Sequence, residues 1–148
     1  MALCALELEC VVAYNRCDLK SNPKGCLSLS IEALLCKLVS DVDGATGAII
    51  IAADGEAVLW HATMDAERLR LRGAYVAVAV RSYRESRART KLGAVRTLVL
   101  EYEGSSLVAE EIDNDCFVVI ELAASANIGE AIFRLGPAVT KLRRELIS

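Results

Sequence analysis

The sequence has little proline, only two residues in 148, and it contains no low-complexity tract and no internal repeat. Apolar residues make up 54% of the chain, a share that is typical of a folded globular protein and not of a disordered one. A chain of this length forms one domain of ordinary size that can bury a substantial core. Its formal net charge of −3 gives no general attraction to nucleic acid, so we expect no nucleic-acid partner.

Long uncharged apolar runs are also missing. None approaches the roughly 20 residues that a helix needs to cross a bilayer, so we expect no direct membrane insertion. The first residues, Met1–Cys4, lack the basic segment that opens a signal peptide, and Glu7 and Glu9 interrupt the apolar residues around them. The sequence therefore predicts a cytoplasmic protein.

The motifs of common enzyme classes are absent. There is no G-x-x-x-x-G-K-[ST] phosphate loop, so the chain is not itself a P-loop GTPase, and neither G-x-G-x-x-G nor G-x-S-x-G occurs. The only histidine, His61, is expected to end an edge strand beside Trp60. Glu110 and Glu111 would lie on opposite faces of a strand and cannot form a close carboxylate pair. We expect no catalytic residue, no cofactor and no metal.

The six cysteines contain no C-x-x-C pair. Cys36 would lie on the apolar face of a helix and Cys116 at the start of a strand, and both are usual places for a buried free thiol. Structural zinc usually draws on closely paired ligands, so the spacing of the other four does not favour a zinc site. A ligand- or metal-sensing module built on this N-terminal group remains an alternative. Its members are Cys4, Cys10, Cys17 and Cys26.

Residues 1–26 are predicted to be an N-terminal extension to a domain over residues 27–148. Apolar residues alternate along the extension, which predicts an extra strand, with a helix as the alternative. The alternating residues are Leu6, Leu8, Cys10, Val12 and Tyr14. Asn22–Gly25 then predicts a turn or linker.

The first helix of the domain is predicted to begin after an N-cap at Ser28 or Ser30, and to end before Gly44, a suitable left-handed residue. Its apolar stripe runs from Ile31 to Val42. Two strands joined by a tight Asp-Gly turn follow, and three more strands later form a meander. These five strands are predicted at Gly47–Ala52, Ala57–His61, Val95–Tyr102, Leu107–Ile112 and Cys116–Leu122.

Between the strand pair and the meander, the segment Asp65–Thr90 has two interpretations. The β-propensity of Gly73–Val80 would allow a strand, but the charged flanks and the total length favour a helix. The element order is therefore helix, two strands, helix, three strands, helix. Hairpin links predict an α/β (α+β) fold with a largely antiparallel sheet and helices on both faces.

The sequence predicts a well-defined N-terminus for the last helix. Asn127 is a suitable N-cap, and Glu130 three residues later completes a capping box. Pro137 cannot donate a hydrogen bond to the carbonyl of Phe133, so a kink or break is expected there. Apolar residues at three- and four-residue steps would lie on one face of this helix. They are Ile128, Ile132, Leu135, Val139, Leu142 and Leu146.

The apolar strand Phe117–Ile120 is followed by a helix that is capped at Asn127-Ile128-Gly129. This combination resembles the C-terminal signature of the roadblock family. The family is named for the roadblock-type dynein light chains and includes MglB-type regulators of small GTPases. The resemblance covers roughly residues 28–148 and implies a roadblock-like αββαβββα fold with a five-stranded sheet. It also implies a homodimer that presents surfaces to a small Ras-like GTPase.

The predicted middle helix has two apolar faces. Leu69, Gly73, Val76, Val80 and Tyr83 would face the sheet, and a second apolar set lies on the opposite side. A helix of this kind must bury both faces or expose a patch that monomers rarely tolerate. Residues 1–26 could fold over the outer face, or a second copy of the protein could cover it.

The resemblance implies the second copy, bound through the middle helix and the edge strand that follows. An edge strand has unpaired backbone groups that need a cover. The predicted dimer interface is Leu71, Ala74, Tyr75, Val78, Ala79, Ser82, Val95, Thr97 and Val99.

Basic residues run from the end of the middle helix into the next loop. They could form a solvated face that complements the helix dipole, or a docking surface for an acidic partner. The predicted GTPase-docking residues are Arg81, Arg84, Glu85 and Arg87. The resemblance thus implies a non-enzymatic homodimeric regulator or scaffold that binds a small Ras-like GTPase and at most stimulates its GTP hydrolysis. The alternative is a structural adaptor that has no effect on nucleotide turnover.

Overall fold

The computed structural model describes residues 23–113 and 115–147 of the chain. The predicted order of three helices and five strands is confirmed, whereas the strand expected within residues 1–26 lies outside the described residues. The elements are α1 (Pro23–Asp41), β1 (Ala45–Ala52), β2 (Ala57–Ala62), α2 (Ala66–Thr90), β3 (Thr97–Glu101), β4 (Ser105–Glu111), β5 (Cys116–Ala123) and α3 (Ile128–Ile147).

The five strands form one sheet in the order β2-β1-β5-β4-β3, and every neighbouring pair is antiparallel. β1 and β5 lie at the centre, where Ile49 is opposite Val119, and their apolar runs are buried on both faces. β2 and β3 are the two edges, as the sequence analysis predicted for His61 in β2 and for the strand after the middle helix.

Helices cover both faces of the sheet, as predicted. α1 and α3 bury one core with residues such as Leu35, Leu135 and Ile120. α2 buries a separate core on the other face, with residues such as Val76 and Phe117. The alternation of side chains along each strand sends successive residues into the two cores.

The segment with two interpretations is a helix. Asp65 is the N-cap of α2, and its carboxylate accepts a 3.0 Å hydrogen bond from the backbone N–H of Arg68. α2 lies close to β1 because a glycine stands at the contact. A Cβ on Gly47 would be only 2.8 Å from Cδ2 of Leu69 and 3.2 Å from the carbonyl oxygen of His61.

α3 begins as predicted, since Oδ1 of Asn127 accepts a 3.1 Å hydrogen bond from the N–H of Glu130. Of the kink or break expected at Pro137, the break is wrong, because the helix continues to Ile147, and the kink stays a prediction. Leu135 and Leu142 are fully buried on either side of the proline, so packing holds both halves in place. Among the residues expected on the apolar face, Ile132 is at its margin and remains exposed.

Two other expectations need correction. α1 begins at Pro23 and not after Ser28 or Ser30, because proline has the backbone angle of a first helical residue and needs no N–H there. Cys36 is buried but disulfide-bonded and so is not a free thiol, whereas Cys116 is free. The division of the chain at residues 26 and 27 stays a prediction. Within the described part of the chain, each helix is too short or too polar to cross a bilayer.

Candidate interaction surface

The outward side of α2 carries a row of exposed apolar side chains. Leu71 is 59% exposed, Tyr75 62% and Val78 54%, and Ser82 continues the row as an exposed polar residue. Their spacing of three and four residues places them on one helical face, opposite the buried Val76. We call these four residues the outer row of α2. The outer row is therefore a candidate interaction surface.

Two alanines of the predicted interface flank the outer row on different sides. Ala74 is half-buried and faces the turn between β1 and β2. A Cβ added to Gly55 in that turn would lie 3.8 Å from the Cβ of Ala74. Ala79 is half-buried on the other flank of the helix. The structure therefore places Ala79, and not Ala74, on the flank away from the β1–β2 turn.

β3 supplies the second part of the predicted interface. It pairs only with β4, so the backbone groups on its other side have no strand partner within the described residues. Val99 is 37% exposed and Thr97 half-buried, whereas Val95 precedes the strand and is half-buried. The predicted strand was thus two residues too long at its start. α2 packs mainly over β1 and β2, which leaves Leu98 and Leu100 of β3 only partly covered.

A buried carboxylate lies beneath the first turns of α2. Oε2 of Glu121 in β5 accepts a 2.7 Å hydrogen bond from Arg72, and Oε1 accepts bonds of 3.2 Å from Arg68 and 2.8 Å from Thr46. Arg72 also donates a 3.1 Å bond to the hydroxyl of Ser105. Glu121 is 3% exposed. This group, the Glu121 cluster, ties α2 to β1, β4 and β5 next to the outer row.

Two opposing effects act on the pKa of Glu121. Burial alone would raise it, but hydrogen bonds from Thr46, Arg68 and Arg72, together with the charge of Arg72, outweigh burial and lower the pKa below 4.5. Glu121 is therefore ionised at neutral pH. The sequence analysis missed this cluster, although a glutamate within an apolar strand was a signal that it needs buried partners.

The predicted docking residues do not share one surface. Arg84 points toward the sheet, where it forms a 2.9 Å ion pair with Glu111 and lies over the ring of Phe117. Arg81 is exposed and donates a 3.2 Å bond to the carbonyl of Ala53. Of the four predicted docking residues, only Glu85 and Arg87 are exposed and have no side-chain hydrogen bond or ion pair with another described residue.

The titratable side chains of the described residues form no metal site. No group of three or more histidine, cysteine, aspartate or glutamate side chains among them could hold a metal ion. Burial lowers the pKa of His61, an effect that the charge of Glu32 partly offsets. Glu111 binds Arg84 on the α2 side of the sheet, whereas Glu110 lies on the α3 side.

Solved structures share this fold. A Roadblock/LC7 domain from Streptomyces avermitilis superimposes with a TM-score of 0.72 at 19% identity, over 79% of this chain and 98% of that one. MglC from Myxococcus xanthus superimposes with a TM-score of 0.59 at 25% identity, over 78% of this chain and 98% of that one. The gliding protein MglB from Thermus thermophilus superimposes with a TM-score of 0.70 at 15% identity, over 84% of this chain and 92% of that one.

No family model matches the chain, and no curated protein matches it significantly. The structural likeness confirms the predicted fold: the chain has the roadblock fold, with three helices and an open five-stranded antiparallel sheet.

Proposed function

We propose, from the roadblock fold of this chain, that it is a homodimeric regulator or scaffold that binds a small Ras-like GTPase. The observation that carries the proposal is that the outer row of α2 is exposed and that the edge of β3 is open within the described residues. A twofold-symmetric dimer would cover both features in both copies, because each copy offers the same surface to the other. Pairing of the two β3 strands would extend the sheet and remove its exposed edge.

The GTPase would dock along the second half of α2. Glu85 and Arg87 are exposed there, and since they are two residues apart they lie on different sides of the helix, with Glu85 one turn beyond Ser82 of the outer row. A charged rim beside an apolar centre is the usual composition of a protein–protein interface. Since no catalytic residue is predicted in this chain, any effect on hydrolysis would come from repositioning of the GTPase's own catalytic residues.

A structural adaptor without effect on nucleotide turnover is the second candidate. It is favoured by the contacts of Arg81 and Arg84, since both guanidinium groups already bind Ala53 or Glu111 within the chain. An arginine that is held in this way is poorly placed to reach a phosphate on a partner.

The test combines binding with single-turnover hydrolysis, using a Ras-like GTPase that is encoded in the same genome and loaded with GTP. Regulation predicts that the full chain binds the GTPase and accelerates hydrolysis, and that Glu85→Arg with Arg87→Glu weakens both effects. Lys37→Glu on α1 is the control, since Lys37 lies on the opposite face of the sheet. Binding with unchanged hydrolysis would indicate the adaptor, and absence of binding would reject the GTPase partner.

A further inference from the structure

Cys36 of α1 is almost fully buried, and its sulfur is bonded to a second cysteine. The residue is 6% exposed and disulfide-bonded. Neither of the two cores formed by the described residues includes it, whereas its neighbour Leu35 belongs to the core that α1 and α3 share. Cover for Cys36 therefore has to come from outside these two cores, and its disulfide partner is part of that cover.

The flank of α1 that carries Cys36 faces the outer strand β2. Glu32 lies one turn before Cys36 on the same flank, since the two are four residues apart. Burial lowers the pKa of His61 in β2, and the nearby charge of Glu32 partly offsets that effect, which places Glu32 beside β2. β2 is an edge of the sheet, so no described strand lies beyond it. Cys36 is therefore close to an open edge, where a further segment of chain has room.

The position of the disulfide partner follows by elimination. Cys116 is free. Cys26 is in the same helix as Cys36, and a rise of about 1.5 Å per residue over the ten residues between them separates their Cα atoms by roughly 15 Å. A disulfide joins Cα atoms that are only about 4.4–6.8 Å apart. The cysteines that are left within this chain all precede the part that the structure describes, and they are Cys4, Cys10 and Cys17.

The chain before α1 is long enough to reach Cys36. The distance from Pro23 to Cys36 along the helix is roughly 20 Å. Six extended residues also span about 20 Å, so even Cys17, which is six residues before Pro23, can approach Cys36 when the chain runs back along α1. Apolar residues alternate between Leu6 and Tyr14, so this segment also has apolar side chains that gain from burial.

We propose that residues 1–22 dock on the β2-side flank of α1, where the disulfide of Cys36 to one of the three N-terminal cysteines holds them. The docked segment would cover Cys36 and lie beside the open edge of β2. A dithiol reductant would release it, because the reductant converts the disulfide into two thiols and becomes a disulfide itself. This site rests on neither the dimer nor the GTPase, since α2 packs on the other face of the sheet.

Docking of this kind would depend on redox conditions. The chain is predicted to be cytoplasmic, and the cytoplasm keeps most thiols reduced. Oxidation would therefore fix the segment on α1, and reduction would expose the flank of α1 and the edge of β2 together.

Peptide mapping tests the disulfide. The full chain is equilibrated with oxidised glutathione, blocked with N-ethylmaleimide, digested without reductant and analysed by mass spectrometry. A peptide that contains Cys36 should be linked to one from residues 1–22, and the thiol of Cys116 should be alkylated. The proposal is overturned if Cys36 is alkylated, or if it is linked to Cys26, to Cys116 or to a second chain, which a non-reducing gel would show as a covalent dimer.

Limited digestion with trypsin tests the docking, because the segment contains cleavage sites at Arg16 and Lys20. A chain terminus is cut readily unless it is tied down. Cleavage at these sites should be at least about tenfold slower in the oxidised wild type than after reduction with dithiothreitol, since the rate follows the population of the released segment. Equal rates before and after reduction would overturn the docking even if the disulfide is present.

Two variants separate this tether from a general effect of thiols. Cys36→Ala should be cut at the fast rate with or without reductant. Cys116→Ala is the matched control, since Cys116 is free, and it should behave like the wild type. Slow cleavage of oxidised Cys36→Ala at Arg16 and Lys20, or fast cleavage of oxidised Cys116→Ala, would contradict the tether.

Far-UV circular dichroism shows whether the domain itself stays folded. The spectrum of the wild type should keep its helix and strand signals after reduction. Loss of the fold on reduction would overturn the proposal, because the disulfide would then hold the whole domain together and not one docked segment. If Cys36→Ala alone fails to fold, the oxidised and reduced wild type still decide the test.

Discussion

Arg72 and Glu121 are 49 residues apart in the sequence, yet the guanidinium of one lies 2.7 Å from the carboxylate of the other. The contact joins α2 to the central strand β5. The carboxylate is almost fully buried and the arginine side chain is 29% exposed. A buried carboxylate of this kind needs its partners, because an unpaired charge in the interior is costly. The position of the outer row of α2 therefore depends in part on this pair.

Arg72→Ala should lower the free energy of unfolding by about 2 kcal/mol, because it leaves Glu121 with fewer donors while Arg68 and Thr46 still bind it. Urea unfolding at fixed protein concentration measures the change. Arg70→Ala is the control, since Arg70 is exposed and only covers the ring of Trp60, so a loss below about 1 kcal/mol is expected. Equal losses in both variants would contradict a special role for the Glu121 cluster.

Glu121 should make folding stability sensitive to acid. Its pKa is lowered in the folded chain, so the unfolded chain takes up the proton first, near pH 4.5, as the solution is acidified. The unfolded state then binds more protons, and acidification favours it. The contribution of Glu121 is complete above pH 4.5 and is lost as the pH falls through its folded pKa.

The measurement is the free energy of unfolding of the wild type and of Glu121→Gln between neutral pH and pH 3. The wild type should lose more stability over the acid part of this range than the variant, which has no carboxyl group to titrate at residue 121. Parallel pH profiles would show that the folded carboxylate is not held in its charged form.

Gly47→Ala should destabilise the chain by about 1–3 kcal/mol, because the new methyl group would press on Leu69 and on the carbonyl of His61. Thermal unfolding of the variant measures the loss. Gly104→Ala is the matched control, since a Cβ there meets nothing within 4 Å, and its effect should be within about 0.5 kcal/mol of zero. A neutral Gly47→Ala would mean that α2 is free to move away from β1.

The sequence predicted the order of elements, the antiparallel sheet and the two faces of α2, because each depends on local periodicity and on turn residues. The outcome for α2 shows this well: the charged flanks and the length of the segment outweighed the β-propensity of Gly73–Val80. Periodicity also placed Leu69 and Val76 correctly in the core.

Features that depend on distant residues were not predicted. The partners of Glu121 come from β1 and α2, so no local sequence pattern predicts them. Arg84 belongs to a basic run in the sequence, but its helical position turns it toward Glu111 and Phe117. Pro137 does not break α3, since tertiary packing outweighs one missing hydrogen bond.

The mass of the protein in solution tests the central claim, that a second copy covers the outer row of α2. Sedimentation equilibrium at micromolar concentration should give twice 15.9 kDa for the wild type. Val78→Asp should give 15.9 kDa, because an unpaired carboxylate in the apolar interface opposes association, whereas Met64→Asp should keep the doubled mass. The account would be contradicted if the wild type had a mass of 15.9 kDa, or if Val78→Asp kept the doubled mass of a dimer.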